Sequence, residues 1–98
     1  MPAYLILFSF TSQGIQKIKE SPARVEAAKR TVEAMGGTTK AFYALLGSQY
    51  DTLFVIEAPD DEAVARTSLA IASGGNVRTE THRLLTEAEY RKLVSALP

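Results

Sequence analysis

Residues 3–10 have the sequence AYLILFSF, and this stretch decides the fold. Successive side chains along a strand point to opposite faces of its sheet. Both faces of this stretch are apolar: one carries Tyr4, Ile6, Phe8 and Phe10, and the other carries Leu5 and Leu7. A strand that is apolar on both faces is typical of the middle of a sheet. We therefore predict a central β-strand over residues 3–10.

Outside this strand, the spacing of apolar residues alternates between helix and strand periods. The predicted elements are, in chain order, a short helical turn at 15–19, a helix from Pro22 to Met35, strands at 38–46 and 50–58, a helix at 61–73, a strand at 76–84 and a helix at 87–97. The residues predicted to cap the three longer helices are Ser21, Asp60 and Thr86. The buried side predicted for the helix at 61–73 consists of Ala65, Leu69 and Ala72, with Val64 and Ile71 beside them.

The resulting order, β-α-β-β-α-β followed by one more helix, predicts a ferredoxin-like α+β fold. Two right-handed crossovers give the strand order 4-1-3-2 in an antiparallel sheet. Polarity favours the same order, because the strand at 50–58 is apolar while the strands at 38–46 and 76–84 carry residues suited to sheet edges. With 98 residues, the chain is predicted to form a single domain over residues 1–98.

The first two long helices of such a fold cover one face of the sheet and leave the other uncovered. An apolar face of that extent exceeds what a monomer usually exposes. We therefore predict a homodimer, or an assembly of such dimers, in which two sheets pack face to face as an α+β barrel. The alternative is that the C-terminal helix covers this face with its own apolar stripe, which consists of Tyr90, Leu93, Val94 and Leu97.

Composition excludes several classes of function. Eleven Lys and Arg balance eleven Asp and Glu, so the basic excess typical of a nucleic-acid-binding protein is missing. Without cysteine, and with one histidine, the chain has neither thiolate chemistry nor a multi-histidine metal site. The acidic run Asp60-Asp61-Glu62 is better explained by helix capping than by metal binding. No targeting or membrane-spanning segment is visible, and we expect a cytoplasmic protein.

Polar residues at predicted strand ends are the first candidates for a ligand site. Tyr50 and Asp51 place a phenol and a carboxylate where a strand begins, either at a pocket mouth or as turn residues that satisfy the backbone. Thr11, Gln13 and Gly14 follow the first strand, and they either bind an anion or carbonyl group or form a polar loop that satisfies its own backbone.

The last strand carries further candidates. Asn76 follows Gly75 at a helix end, and Arg78 is suited either to a ligand carboxylate or to an ion pair. His82 lies on the same strand face as Arg78 and is either a general base or haem ligand in a cavity or a solvated edge residue. Tyr43 is the remaining candidate, as a phenol in a barrel cavity.

Four motifs resemble the GYD domain family, namely Thr11-Ser12-Gln13-Gly14, Gly47 with Tyr50-Asp51, the run from Glu57 to Glu62, and Gly75-Asn76-Val77-Arg78-Thr79. Together they extend over nearly the whole chain. The resemblance implies a small bacterial or archaeal protein with a dimeric ferredoxin-like fold and no established activity. In the family pattern one residue separates the glycine from the Tyr-Asp pair, whereas here Ser48 and Gln49 intervene, which predicts a longer hairpin or a bulge.

Three hypotheses about function follow. The first is a cytoplasmic homodimer that binds a small molecule in a barrel or interface cleft, near the polar strand ends. The second is an enzyme similar to the dimeric-barrel monooxygenases, using His82 or Tyr43. The third is a module for ligand sensing or assembly without catalysis. The residues indicate no particular reaction, cofactor or ligand, because one fold supports many functions.

Overall fold

Four strands and four helices make up the computed structural model, which describes residues 1–98. A short 3₁₀ helix, Ile18–Glu20, joins the first two helices. The elements are β1 (Ala3–Phe10), α1 (Ser12–Gln16), α2 (Ser21–Ala34), β2 (Thr38–Ala44), β3 (Thr52–Glu57), α3 (Asp61–Ala72), β4 (Val77–Leu84) and α4 (Glu87–Ser95). None of the helices combines the length and the apolar content that crossing a bilayer requires.

The strands form one antiparallel sheet in the order β2-β3-β1-β4. This is the predicted order 4-1-3-2, so the ferredoxin-like α+β fold and its additional C-terminal helix are confirmed. In the register, Ile6 of β1 lies between Phe54 of β3 and Thr81 of β4. The sheet is regular apart from an irregularity in β2 between Thr39 and Ala41.

The core lies on the side of the sheet that α2 and α3 cover. Tyr4, Ile6 and Phe8 are all less than 5% exposed there, together with Phe54 and Ile56 of β3. The helices contribute Val32 from α2 and Val64 from α3 to the same cluster. Burial of one such side chain stabilises the fold by about 1.5–3 kcal/mol, so this cluster fixes the position of both helices.

The opposite side of the sheet has no helix over it. We call this surface, formed by the outward side chains of all four strands, the bare face; its apolar members are Ala3, Leu5, Leu7, Ala41, Tyr43, Leu53, Val55 and Leu84. Helix α4 does not shield it, since Tyr90 and Leu93 of that helix remain 60% and 56% exposed. The alternative in which the C-terminal helix covers this face is therefore wrong for the single chain.

Two local predictions are wrong. Ser21 is not a cap, because the 3₁₀ helix continues directly into α2 and gives Ser21 helical backbone angles, φ −56° and ψ −43°. In α3 the buried residues include Thr67 and Ser68, whereas Ala65 and Leu69, which were predicted to be buried, are exposed, Leu69 by 71%. Short hydroxyl side chains can be buried here because the Thr67 hydroxyl donates to the carbonyl of Ala63 at 2.8 Å, and Ser68 bonds to a strand hydroxyl.

Candidate functional site

The loop after β1 and the loop before β4 are joined by hydrogen bonds. The Thr11 backbone N–H donates to the carbonyl of Asn76 at 3.1 Å, and its hydroxyl donates to the carbonyl of Gly75 at 2.6 Å. The Gln13 amide donates to the carbonyl of Gly74 at 3.2 Å and to the side-chain oxygen of Asn76 at 3.1 Å. The structure thus brings together Thr11, Gln13 and Asn76, and their polar groups engage one another.

Gly14, in α1, completes the junction between these two loops, which we name for its residues Thr11, Gln13, Gly14 and Asn76. Its backbone N–H donates to the Thr11 hydroxyl at 3.1 Å, so Thr11 is the N-cap of the helix. A Cβ atom at Gly14 would overlap the carbonyl oxygen of Asn76, so the two backbones approach as closely as they do because residue 14 has no side chain. The Arg24 guanidinium then donates to the Gly14 carbonyl at 3.1 Å and anchors α2 to the same point.

Asp51 holds the connection between β2 and β3 against the end of β1. Its carboxylate accepts from the backbone N–H of Phe10 at 2.8 Å, and its own N–H donates to the carbonyl of Phe8 at 2.8 Å. Its carbonyl accepts from the N–H of Leu45 at 2.9 Å. Asp51 therefore extends the pairing of β1 beyond the start of β3, and both its side chain and its backbone hold the connection over residues 45–51.

Tyr50, Glu80 and His82 form a hydrogen-bonded cluster on the bare face. The Tyr50 hydroxyl donates to one carboxylate oxygen of Glu80, and His82 Nε2 lies 2.6 Å from the other. Glu80 and His82 are two residues apart on β4 and so point to the same face of the sheet. Tyr50 reaches them from the connection before β3. A carboxylate that holds an imidazole in one orientation is a common element of acid–base and ligand-binding sites.

The hydrogen bonds in this cluster also set its electrostatics. The Tyr50 hydroxyl and then His82 stabilise the ionised carboxylate, which lowers the pKa of Glu80 from its usual value. The same bond to Glu80 raises the pKa of Tyr50 above 10.0, because ionising the phenol would place two negative groups together. Near neutral pH the cluster therefore contains an ionised Glu80 and a neutral Tyr50.

Arg78 and Tyr43 lie on the bare face outside this cluster. Arg78 is opposite Ser9 of β1, its side chain is exposed, and it takes part in none of the six ion pairs of the structure. Tyr43 is 63% exposed beside Leu53. Arg78, His82 and Tyr43 thus share one open surface, separate from the junction formed by Thr11, Gln13, Gly14 and Asn76.

The acidic run before α3 is used within the chain. Asp60 caps the helix by accepting from the N–H of Ala63 at 2.8 Å, and Asp61 accepts from the buried Tyr4 hydroxyl at 2.6 Å. No three His, Cys, Asp or Glu side chains converge in a way that would hold a metal ion.

The sequence analysis gave His82 and Tyr50 as candidate site residues but not Glu80, which bonds to both of them. The alternation of side chains along β4 is the one sequence signal that places Glu80 close to His82.

Comparison with known proteins matches residues 4–94 to the model of the GYD domain family. The chain belongs to the GYD family. This GYD protein is 34% identical over 90 residues to a Thermus thermophilus protein named glutamine synthetase and cystathionine beta-lyase binding protein, with 91% of this chain and 94% of that protein aligned.

Solved structures of low sequence identity share the fold of this GYD protein. The leucine response regulatory protein LrpA of Mycobacterium tuberculosis matches with a TM-score of 0.64 and 16% identity, over 87% of this chain and 51% of that one. The feast or famine regulatory protein of the same organism, solved with L-methionine, gives a TM-score of 0.65 at 15% identity, over 88% and 51% of the two chains. An ACT domain protein from Streptococcus pneumoniae gives a TM-score of 0.52 at 15% identity, over 100% and 98%. The chain thus spans about half the length of the two regulators.

Replacement of Gly14 tests whether the junction is as close as the structure shows. We expect Gly14→Ala to lower the free energy of unfolding by about 1–3 kcal/mol, because its methyl group would push against the Asn76 carbonyl. The control is Gly74→Ala, whose methyl would meet nothing closer than 3.5 Å and which should change stability by about 0.5 kcal/mol or less. Equal urea-denaturation curves for the two variants would contradict the predicted contact.

Replacement of Glu80 tests the cluster on the bare face. We expect Glu80→Gln to lower the pKa of Tyr50 toward 10.0, as measured by NMR titration of labelled tyrosine rings. The pKa of Tyr4, which burial and then its bond to Asp61 raise, should stay high in the same sample and serves as the control. An unchanged Tyr50 titration would show that the two side chains do not interact in solution.

The hydrogen-bonded pair Tyr50 and Glu80 makes the free energy of unfolding depend on pH. Because the folded-state pKa of Tyr50 lies above its unfolded value, the stabilisation is complete below about pH 10 and is lost as the pH rises through the folded value. The pKa of Glu80 is lowered, so its contribution is present above about pH 4.5 and is lost as the pH falls through the folded value. The stability difference between the native chain and Glu80→Gln should therefore shrink at both extremes.

Proposed function

We propose that this chain is a homodimeric, cytoplasmic binding module of one domain that docks onto other proteins, and that catalysis is not its role. The observation that carries the proposal is the apolar surface that a single chain leaves uncovered: on the bare face the aliphatic side chains are half-buried and Tyr43 is exposed, and on α4 the apolar stripe is exposed. The Thermus thermophilus relative, named for binding two enzymes, supports a protein-binding role for this chain. Each surface has features that favour a different partner.

The dimensions of the chain support an assembly. It exposes 6471 Å² of surface, whereas a compact monomer of this mass exposes about 5500 Å². Its radius of gyration is 14.7 Å, above the value of about 12.6 Å expected for 98 residues. The excess of roughly 1000 Å² is comparable to the area of about 800 Å² that each partner buries in a standard interface.

The bare face is suited to a second copy of this chain. Its centre is apolar, with Leu5, Leu7 and Leu53, and its two edges carry charges of both signs. Along one edge lie the residues of β4, and at the other edge Lys40 of β2 forms an ion pair at 3.8 Å with Glu57 at the end of β3. An apolar centre with a charged rim is the usual anatomy of a protein interface, and a two-fold axis brings the same patch onto itself.

Helix α4 is suited to a different protein. Tyr90, Leu93 and Val94 form a stripe along one side of the helix, Leu97 follows just after its end, and all four are 47–69% exposed. A capping box of Thr86 and Glu89 secures its first turn, so the helix is formed before any partner arrives. An amphipathic helix with an unpartnered stripe is a common ligand for a hydrophobic groove on another protein. We assign partner docking to this helix.

A small carboxylate ligand in the cleft between two sheets is the second candidate function. Arg78 supports it, because this unpaired guanidinium would be covered when the bare face is covered. Burying an unpaired charge is costly, so a counter-charge is required there, either from a ligand or from the second subunit. His82, held by Glu80, lies on the same strand face and would contribute a hydrogen bond to such a ligand.

Sedimentation equilibrium tests the dimer. We expect the native chain to sediment as a dimer at micromolar concentration and Leu7→Asp to sediment as a folded monomer, because a buried charge would oppose contact between the sheets. The matched control, Leu69→Asp, places the same charge on the exposed side of α3 and should remain dimeric. A monomeric native chain would overturn this part of the proposal.

Binding to purified enzymes tests the role of α4. We expect immobilised chain to bind glutamine synthetase or cystathionine beta-lyase from its own organism, and Leu93→Asp to weaken binding by about tenfold or more, since apolar groove contacts would be lost. Ser95→Asp adds the same charge to the same helix, away from the apolar stripe, and should bind normally. If neither enzyme binds the native chain, the assignment of these partners is wrong; if Leu93→Asp becomes monomeric, α4 belongs to the dimer interface instead.

A further inference from the structure

A cavity of about 230 Å³, open to solvent on one side, lies between the sheet and the two long helices, on the side opposite the bare face. Four phenylalanines line it: Phe10 and Phe42 are half-buried, and Phe8 and Phe54 are less than 5% exposed. Its sides are residues of α2 and α3 and of the segment leading into β4. None of Tyr43, Tyr50, Arg78 and His82 lines it, so it is separate from the candidate site on the bare face.

Small side chains keep this volume open. The cavity is bounded by Ala27 and Ala28 on α2 and by Ala70 on α3, and alanine is too short to fill the space over the rings. The rings cannot collapse into it easily, because Phe54 packs edge-on against both Phe8 and Phe42, with centroids 5.2 and 5.9 Å apart. Ala27 and Ala70 are exposed at its rim, so a small apolar molecule could enter from solvent and cover apolar surface that is otherwise in contact with water.

The charge of the lining defines the chemistry of that occupant. Arg24 lines the cavity, but its guanidinium donates to the backbone carbonyls of Lys17 and Gly14 at 3.0 and 3.1 Å. Asp and Glu are absent from the lining. Its other polar side chains are Ser21 and Thr52, whose hydroxyls are suited to a weak hydrogen bond, and Thr31 and Asn76, which bond within the chain. An ammonium group would therefore meet a cation and no counter-charge, and would enter at a high cost of desolvation, whereas a neutral ring would not.

Volume sets the size of the occupant. In another protein, an engineered cavity of about 150 Å³ with apolar walls binds benzene. The present cavity is about one and a half times as large, and four phenylalanines line it. We propose that it binds a neutral two-ring aromatic molecule of the size of indole, with the rings packed against the phenylalanines. This proposal does not depend on dimer formation or on partner docking.

Titration with indole tests the proposal. We expect indole to bind the native chain at millimolar concentration, to raise its melting temperature and to shift the backbone amide signals of Ala28, Phe54 and Ile71. Free L-tryptophan, which carries the same ring with two charges, should bind at least about tenfold more weakly. The variant Ala28→Leu should fill the cavity, raise the melting temperature without indole and weaken indole binding by about tenfold or more.

A matched control variant tests whether indole binds in this cavity and not elsewhere on the chain. Ala65→Leu places the same side chain on the exposed side of α3, outside the cavity, and should leave indole binding unchanged. If Ala28→Leu does not fold, Ala70→Leu takes its place at the opposite wall. The proposal is wrong if indole does not bind, if its amide shifts fall on the bare face, or if L-tryptophan binds as tightly as indole.

Discussion

Every larger feature of this protein depends on the two central strands, β1 and β3, being apolar on both sides. On one side Tyr4, Ile6 and Phe54 are buried beneath α2 and α3. On the other side Leu5 and Leu53 face outward, and the remaining helix projects away instead of covering them. The single chain shelters one of these two surfaces, and the other is the surface on which the proposed assembly depends.

The polar residues at the strand ends hold this arrangement in place. Thr11 and Gln13 fasten the start of α1 to the loop before β4, and Asp51 fastens the hairpin connection to the end of β1. Each of these side chains has hydrogen-bond partners within the chain. Polar character at a strand end therefore has a structural cause here, while the groups on the bare face, Arg78 and His82 among them, remain accessible to a partner or ligand.

The order of elements could be predicted because alternation along 3–10 and three-to-four spacing along α2 are strong local signals. The buried side of α3 could not be predicted, because Thr67 and Ser68 have polar side chains. They are suited to the interior only because their hydroxyls form hydrogen bonds there. The same holds for the cluster at Glu80: strand alternation places His82 beside it, but the approach of Tyr50 from thirty residues away requires the folded chain. A cavity, being a volume left by short side chains, has no sequence pattern of its own.

The cavity and the bare face are the two sides of one sheet. Leu53 and Phe54 are neighbours on β3, and they point to opposite sides, the first into the proposed dimer interface and the second into the cavity. Any influence of a bound ring on assembly would pass through this strand and through β1. It would also require the ring to bind the dimer and the monomer with different affinities, because a ligand that binds both states equally shifts neither. Without such a difference the two surfaces act independently, and occupancy of the cavity stabilises the fold alone.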